Sequence, residues 1–497
     1  MSGIFILSIL LAYFLVLIAI SYFTSKGAKN DAFFTGNRSS KWYLVSFGMI
    51  GASLSGITFI SVPGMVFAEK FSYMQIVIGY LVGYAVIAFV LLPLYYRLNL
   101  TSIYAYLEQR YGKVTHKVGA GFFLLSRMLG SAVRLFLVAD VLDYFVLSEY
   151  GFSFEFSVFL TLVLIYIYTY RGGIKTIVWT DTLQTTFMLL SLGVSVYLIS
   201  DLVGVSVATD GLRDFGLVNW FVTDNPDSSH YWLKGVFGGF FITLAMTGLD
   251  QDMMQKNLTC KNEKEAQKNM IWFSGILFFV NFIFLVLGGL LLLYLEQNQP
   301  LNEVFISMEE SKRYDRLFPL VALEGGLGKF IGITFLLGLI AAAYSSADSA
   351  LTAMTTSTSV DIMEIQKWKN KEKAEKARKY IHIGMTVILF VVILLANAFK
   401  ETNVINTLFK MAGYTYGPLL GLFFFGIFSK RVVSDKKAWL VCLIVPALLF
   451  LYKTYESDLF KNYETGHELL GINGVLCILG LLLLSTKNEV RPNIKNL

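Results

Sequence analysis

The alternation of apolar and polar positions divides this chain into apolar runs of membrane-spanning length, separated by short polar segments. The runs predict thirteen helical spans, at 4–23, 43–68, 73–96, 119–147, 154–170, 177–203, 235–249, 270–295, 329–361, 380–399, 403–428, 437–453 and 469–485. The second run, YLVSFGMIGASLSGITFISVPGMVFAE, is interrupted by Gly48, Gly51, Ser53, Ser55, Gly56, Thr58 and Pro63. Glycine and proline weaken a helix, and serine and threonine compete for its backbone groups. At bilayer depth a helix can unwind only where protein or water satisfies the freed groups. The run therefore predicts either a discontinuous helix that builds a solute and ion site at the midplane or a kinked helix with close-packed glycines. The seventh run, GVFGGFFITLAMTGLD, is short and glycine-rich and continues into DQDMMQKNLTC; the eleventh ends GYTYGPLLGLFFFGIFSKR. Interrupted helices five spans apart fit a five-plus-five inverted repeat. The expected architecture is one all-α polytopic membrane domain over 1–497. Within it come an extra N-terminal helix at 4–23, repeats at 43–203 and 235–428, and two C-terminal helices at 437–485.

Composition changes little in that picture. Of the 497 residues 55% are hydrophobic and only 15% charged, with mean hydropathy +0.61; a soluble domain carries about 25% charge. Charge adds orientation. Most of the 41 Lys and Arg fall in or beside 24–42, 97–118, 171–176, 250–269, 362–379, 429–436 and the C-terminal tail. That bias puts these segments in the cytoplasm, the N-terminus outside and the C-terminus inside. The first run has no basic residue before it and no small-residue cleavage site, so it reads as a retained helix in a cell membrane, a bacterial inner membrane by this reading. The net charge of +6 follows from the same bias and implies no nucleic acid. Cys260, Cys442 and Cys477 make no disulfide framework, and His116, His230, His382 and His467 make no zinc motif. With no phosphate loop, no GxSxG and no appended soluble domain, the chain does not read as an enzyme or a receptor kinase. The charged stretch 364–380 is a solvated, helical connector.

Candidate chemistry centres on 339–361, LIAAAYSSADSALTAMTTSTSVDIM. At helical spacing Ala342, Ser345, Ser346 and Ser349 occupy one arc, with Asp348 and Thr352 on its edge. A carboxylate at this depth marks a functional site by default, and an oxygen-only face suits a hard cation. Close helix packing accounts for the small residues but not for Asp348. In the fourth run Arg127 and Arg134 share a face. Arg134 is too deep to snorkel, so it either pairs with Asp140 or Asp143 or receives an anionic ligand in fork geometry. Asp181, a turn inside the sixth run beside Gln184 and Thr185, is either a helix cap or an ion ligand.

Taken together, the broken second run with ITFISVP, RGGIKTIVWTD, the QDMMQ segment, AAAYSSADS and GPLLGLFFFGIFSKR resemble the sodium/solute symporter family, in order and spacing, from about residue 20 to 435. The pattern is nearest to the bacterial sialic acid carriers. The resemblance implies the inverted-repeat fold of the leucine-transporter type with flanking helices, Na+ as coupling ion, one or two per cycle, and a small organic solute. It implies a first sodium site from the carbonyls of Gly51, Leu54 and Ala342 and the hydroxyls of Ser345 and Ser346. It implies a second at Asp181, Ser345, Asp348 and Ser349, although Asp348 stands where those carriers have serine. Solute contacts carry over to Ser53, Ser55, Thr58, Tyr73 and Arg134, while a sugar-contacting glutamine corresponds to Val77. The expected activity is sodium-driven import of a carboxylate-bearing solute such as a sialic acid, by a monomer in the lipid bilayer. The alternatives are a neutral sugar or polyol carrier, or a non-transporting sensor.

Overall fold

A computed structural model describes residues 3–26, 30–147, 150–170, 173–217, 219–397, 404–456 and 463–486. Arg171 and Gly172 of the RGGIKTIVWTD motif and the chain ends at 1–2 and 487–497 lie outside them. Among the described residues the only β pairing is two isolated bridges, Ser40 with Cys260 and Val432 with Thr486.

The first half comprises α1 (Gly3–Ser25), α2 (Trp42–Ser53), α3 (Gly56–Glu69), α4 (Tyr73–Arg97), α5 (Lys113–Leu142), α6 (Phe154–Thr169) and α7 (Ile174–Val203). After it come α8 (Trp232–Gly248), α9 (Gln251–Asn257), α10 (Glu263–Gln297), α11 (Lys329–Ile362) and α12 (Lys371–Ala396). The last helices are α13 (Val404–Thr415), α14 (Gly417–Phe428), α15 (Asp435–Thr454) and α16 (Leu469–Leu484). Each of the thirteen apolar runs coincides with one of these helices or with a bent pair of them. Several helices begin well before the hydrocarbon does, at 263 rather than 270 and at 371 rather than 380. Side-chain caps explain this: Asn262 accepts from the Glu265 amide and Asn370 from the Lys373 amide, both at 3.0 Å, so polar first turns are helical too.

Among the described residues three spans are broken. The axes of α2 and α3 diverge by 59°, those of α8 and α9 by 67°, and the last turns of α13 from α14 by 45°. The segment after α8, expected to be a cytoplasmic loop, is corrected by the structure. Residues 250–260 are buried, and α9 packs into the bundle against α11 and α2. Helix α11 is the axis of the molecule. It is buried from Ala341 to Ser357 and packs against α7, α5, α2 and α3. At the α4–α8 crossing the two backbones come into direct contact. A Cβ on Gly79 would lie 2.1 Å from the Val236 carbonyl oxygen, and one on Gly239 would lie 2.0 Å from that of Ile76. Glycine at both positions lets the backbones touch.

Candidate functional site

At the α2–α3 break the low helix propensity of Gly51, Ser53, Ser55 and Gly56 becomes geometry. Leu54 leaves the helical region at φ −81°, ψ 77°, and Ser55 is extended at φ −70°, ψ 175°. The Ser55 amide turns back to the Ser53 carbonyl (3.1 Å), so the Gly51 carbonyl loses the donor a continuous helix would give it. Among the described residues no backbone amide reaches the Leu54 carbonyl either. The other two breaks differ. Tyr95 and Tyr104 donate their hydroxyls to the Gly248 and Leu249 carbonyls at 2.9 and 2.8 Å. Asn473 donates to the Gly413 and Tyr414 carbonyls at 2.9 and 3.1 Å. Freed carbonyls are capped by side chains at two breaks and left open at α2–α3.

The break lies against the hydroxyl arc of α11. A Cβ built on Gly51 would lie 2.3 Å from Thr185 Oγ1 and 3.4 Å from Ser345 Oγ, so glycine is what lets α2 approach α7 and α11. The Gly51 amide donates to Thr185 Oγ1 at 3.1 Å. Ser345 donates to Asp181 Oδ1 at 2.6 Å, which leaves its lone pairs available. Gly51, Leu54, Ala342, Ser345 and Ser346 are all buried, Ser345 and Ser346 to within 1%. An oxygen-only set of backbone and hydroxyl groups around a helix break fits a small hard cation.

Asp348 sits on the adjoining arc and faces another way. Its Oδ2 accepts from the Tyr168 hydroxyl of α6 at 2.9 Å, and Oδ1 accepts from Ser349 at 3.2 Å. Asp181, fully buried, has a partner that the sequence did not suggest. Lys256 of α9 brings its Nζ to 2.8 Å from Asp181 Oδ2 and 3.9 Å from Asp252 Oδ1. Asp181 is therefore not a helix-end cap: it joins α7, α9 and α11.

Ser53, Ser55, Thr58, Tyr73 and Arg134 line one cavity, together with Tyr80, Tyr84, Arg127, Thr243, Thr247 and Asn281. Val77 is not among its lining residues. Arg127 and Arg134 have opposite fates. Arg127 is held by Asp252 and, at 3.5 Å, by Asp250, whose Oδ2 also accepts from Tyr416 at 2.5 Å. Among the described residues Arg134 makes only a 3.5 Å contact from Nη1 to Ser346 Oγ, and its Nε has no partner. Asp140, expected as one internal partner for Arg134, pairs instead with Arg316 at 3.0 Å. The Arg127 cluster, the Lys256 pair and Gln255, which donates to the Phe34 carbonyl (2.7 Å), tie α9 to α5, to α7 and to the chain at Phe34.

Sequence reasoning missed Lys256, Asp250, Asp252, Tyr168 and Tyr416. The signal for the first three was the acid- and amide-bearing DQDMMQK segment beside a broken span, which reads equally as a solvated loop.

The model of the sodium:solute symporter family matches residues 33–441. The sodium/sialic acid symporter NanT of Aliivibrio fischeri is 26% identical over 494 residues, covering 94% of this chain and 91% of that protein. The sodium-coupled monocarboxylate transporter 2 of Danio rerio is 27% identical over 327 residues, 65% of this chain and 50% of its own length. Among solved structures, a substrate-bound, outward-open Na+-coupled sialic acid symporter superposes with TM-score 0.80 at 20% identity, over 97% of this chain and 98% of that one. At that identity the likeness establishes the fold, an inverted-repeat bundle of the leucine-transporter type.

Proposed function

Because this chain belongs to the sodium:solute symporter family, we propose that it couples Na+ to the import of a small mono-anionic carboxylate of the sialic acid type. The family makes it a sodium-coupled membrane carrier rather than an enzyme; the solute is the further step. The observation that carries it is Arg134, a half-buried guanidinium on a cavity wall with one long contact to a hydroxyl and, among the described residues, no ion-pair partner. Drawing an unpaired guanidinium partly out of water is unfavourable, and a ligand carboxylate in fork geometry supplies the missing partner. Ser53, Ser55 and Thr58 offer hydroxyls beside it, and Tyr73 and Tyr80 offer an amphipathic wall. The relatives named for sialic acid and for monocarboxylates fit the same reading.

In this proposal Gly51, Leu54, Ala342, Ser345 and Ser346 ligate the coupling Na+. Asp181, Ser345, Asp348 and Ser349 form a second cation position. Residues 43–203 and 235–428 are the two repeats, led by the broken pairs α2–α3 and α8–α9. The carrier is a monomer in the cell membrane, N-terminus outside, with the basic end in the cytoplasm as the positive-inside rule requires. Na+ and solute enter from the outer side, and release requires the Arg127 and Lys256 clusters to part.

The test is uptake into proteoliposomes under an imposed Na+ gradient, screened across N-acetylneuraminate, other carboxylates and neutral sugars. Uptake that persists when choline replaces Na+ would refute sodium coupling. A neutral sugar as best substrate would make Arg134 a structural residue.

A further inference from the structure

The second cation position already contains a cation. Lys256 is 1% exposed, and its ammonium lies 2.8 Å from Asp181 Oδ2. A Na+ held by the other oxygen of the same carboxylate would still sit within roughly 6 Å of that nitrogen, with no water between them to screen the two charges. Two unit charges so close in a buried site repel strongly. The two cations are therefore alternatives.

The geometry favours the lysine. Helix α9 is pinned so that Lys256 has little freedom to withdraw. Asp250 caps it by accepting from the Asp252 amide at 2.8 Å, and Gln255 donates to the Phe34 carbonyl and, at 3.1 Å, to Thr356. The neighbouring acids have other partners. Asp252 is paired with Arg127, and both Asp348 oxygens accept from the hydroxyls of Tyr168 and Ser349. Removing Lys256 from Asp181 would strand a buried ammonium and a buried carboxylate together, which is strongly unfavourable.

We propose that the Lys256 ammonium is the resident, tethered cation of the Asp181 position, and that the carrier consequently binds and moves one Na+ per solute. Lys256 also acts on the first site as a positioning residue. It fixes Asp181, whose Oδ1 accepts from the Ser345 hydroxyl at 2.6 Å, so Ser345, packed against Gly51, keeps its lone pairs free for the ion. This orienting relay resembles the outer partners of metal ligands. It also ties sodium occupancy to α9.

The inference rests on the sodium site proposed above, and radioactive 22Na+ binding to the purified full-length chain tests both without requiring the solute. The expected result is one Na+ per chain with a Hill coefficient of one. Lys256→Gln, which removes the charge and leaves Asp181 free, should raise the count to two and the Hill coefficient above one; Lys256→Arg should keep it at one. Two ions per wild-type chain would overturn the tethered-cation proposal while leaving sodium coupling intact. A count that stays at one in Lys256→Gln would also overturn it, because the position would then not accept a cation at all. No Na+ binding by wild type, or wild-type binding that is unaltered in Ser346→Ala, would instead overturn the sodium site itself. If Lys256→Gln does not fold, the wild-type count alone decides.

Discussion

At the residue scale, two arginines seven positions apart on α5 divide the labour. Arg127 is neutralised by Asp250 and Asp252 and ties α5 to α9; Arg134, about two turns further on, has no such partner among the described residues. Arg134→Lys keeps the charge but loses the planar fork, so half-saturating solute should rise by about tenfold to a hundredfold, the worth of one or two charged hydrogen bonds. Binding of 22Na+ should be unchanged, and misfolding with unaltered solute preference would point to a structural arginine instead. Ser346→Ala should act in the opposite sense, raising the Na+ needed for half-maximal uptake several-fold with little change in saturating rate. Both side chains were legible in the sequence because helical spacing alone gathers hydroxyls on one arc and puts Arg134 too deep to reach water. Lys256 was not. A single lysine in a seven-residue polar helix has no period to read, and only the fold carries it to Asp181.

Broken spans are the element-scale theme. Their positions could be read from glycine, serine and proline in apolar runs, but not which break would stay open, since that depends on tyrosines and an asparagine from distant segments. The α4–α8 crossing offers a clean test of close packing. Gly239→Ala would put a Cβ against the Ile76 carbonyl and should lower the thermal midpoint in detergent by the equivalent of about 1–3 kcal/mol. Gly275→Ala on α10 meets nothing within 4 Å and should be neutral or slightly stabilising. A second element-scale prediction concerns the segment between Glu310–Arg313 and Leu317–Glu324, outside the spans. There burial pushes the Asp315 carboxyl up to about 6, with Asp140 adding to the shift and Ser61 and Arg316 opposing it. The native state then holds a proton between about pH 4 and 6 that the unfolded chain has released, so stability should fall as pH rises through that window. Asp315→Asn should flatten this slope and exceed wild type in thermal stability at pH 7.5 but not at pH 4, by an amount that two pKa units cap at about 3 kcal/mol. Parallel pH profiles of the two proteins check it.

For the whole molecule, the charge distribution fixes how the carrier meets the membrane potential. The basic bias was plain in the sequence because topology is written in Lys and Arg counts, whereas coupling depends on where one lysine ends up. Each positive charge moved inward contributes about 2.3 kcal/mol per 100 mV, which is about a 50-fold difference in accumulation. With Lys256 tethered in place, one Na+ and one mono-anionic carboxylate cross together, and the sum of their charges is zero. The potential then contributes nothing, and accumulation follows the Na+ gradient alone, tenfold for each tenfold gradient. A carrier with a mobile ion at Asp181 would move one net charge and concentrate its anion a further 50-fold at −100 mV. Proteoliposomes loaded with K+ and clamped by valinomycin separate the two. At a fixed Na+ gradient, steady-state accumulation of N-acetylneuraminate, or of whichever carboxylate is transported, should be the same at 0 and −100 mV. In Lys256→Gln it should become voltage-dependent, as the freed Asp181 draws a second Na+ into the cycle. A wild-type protein whose accumulation climbs steeply with voltage would show that a second charge already travels.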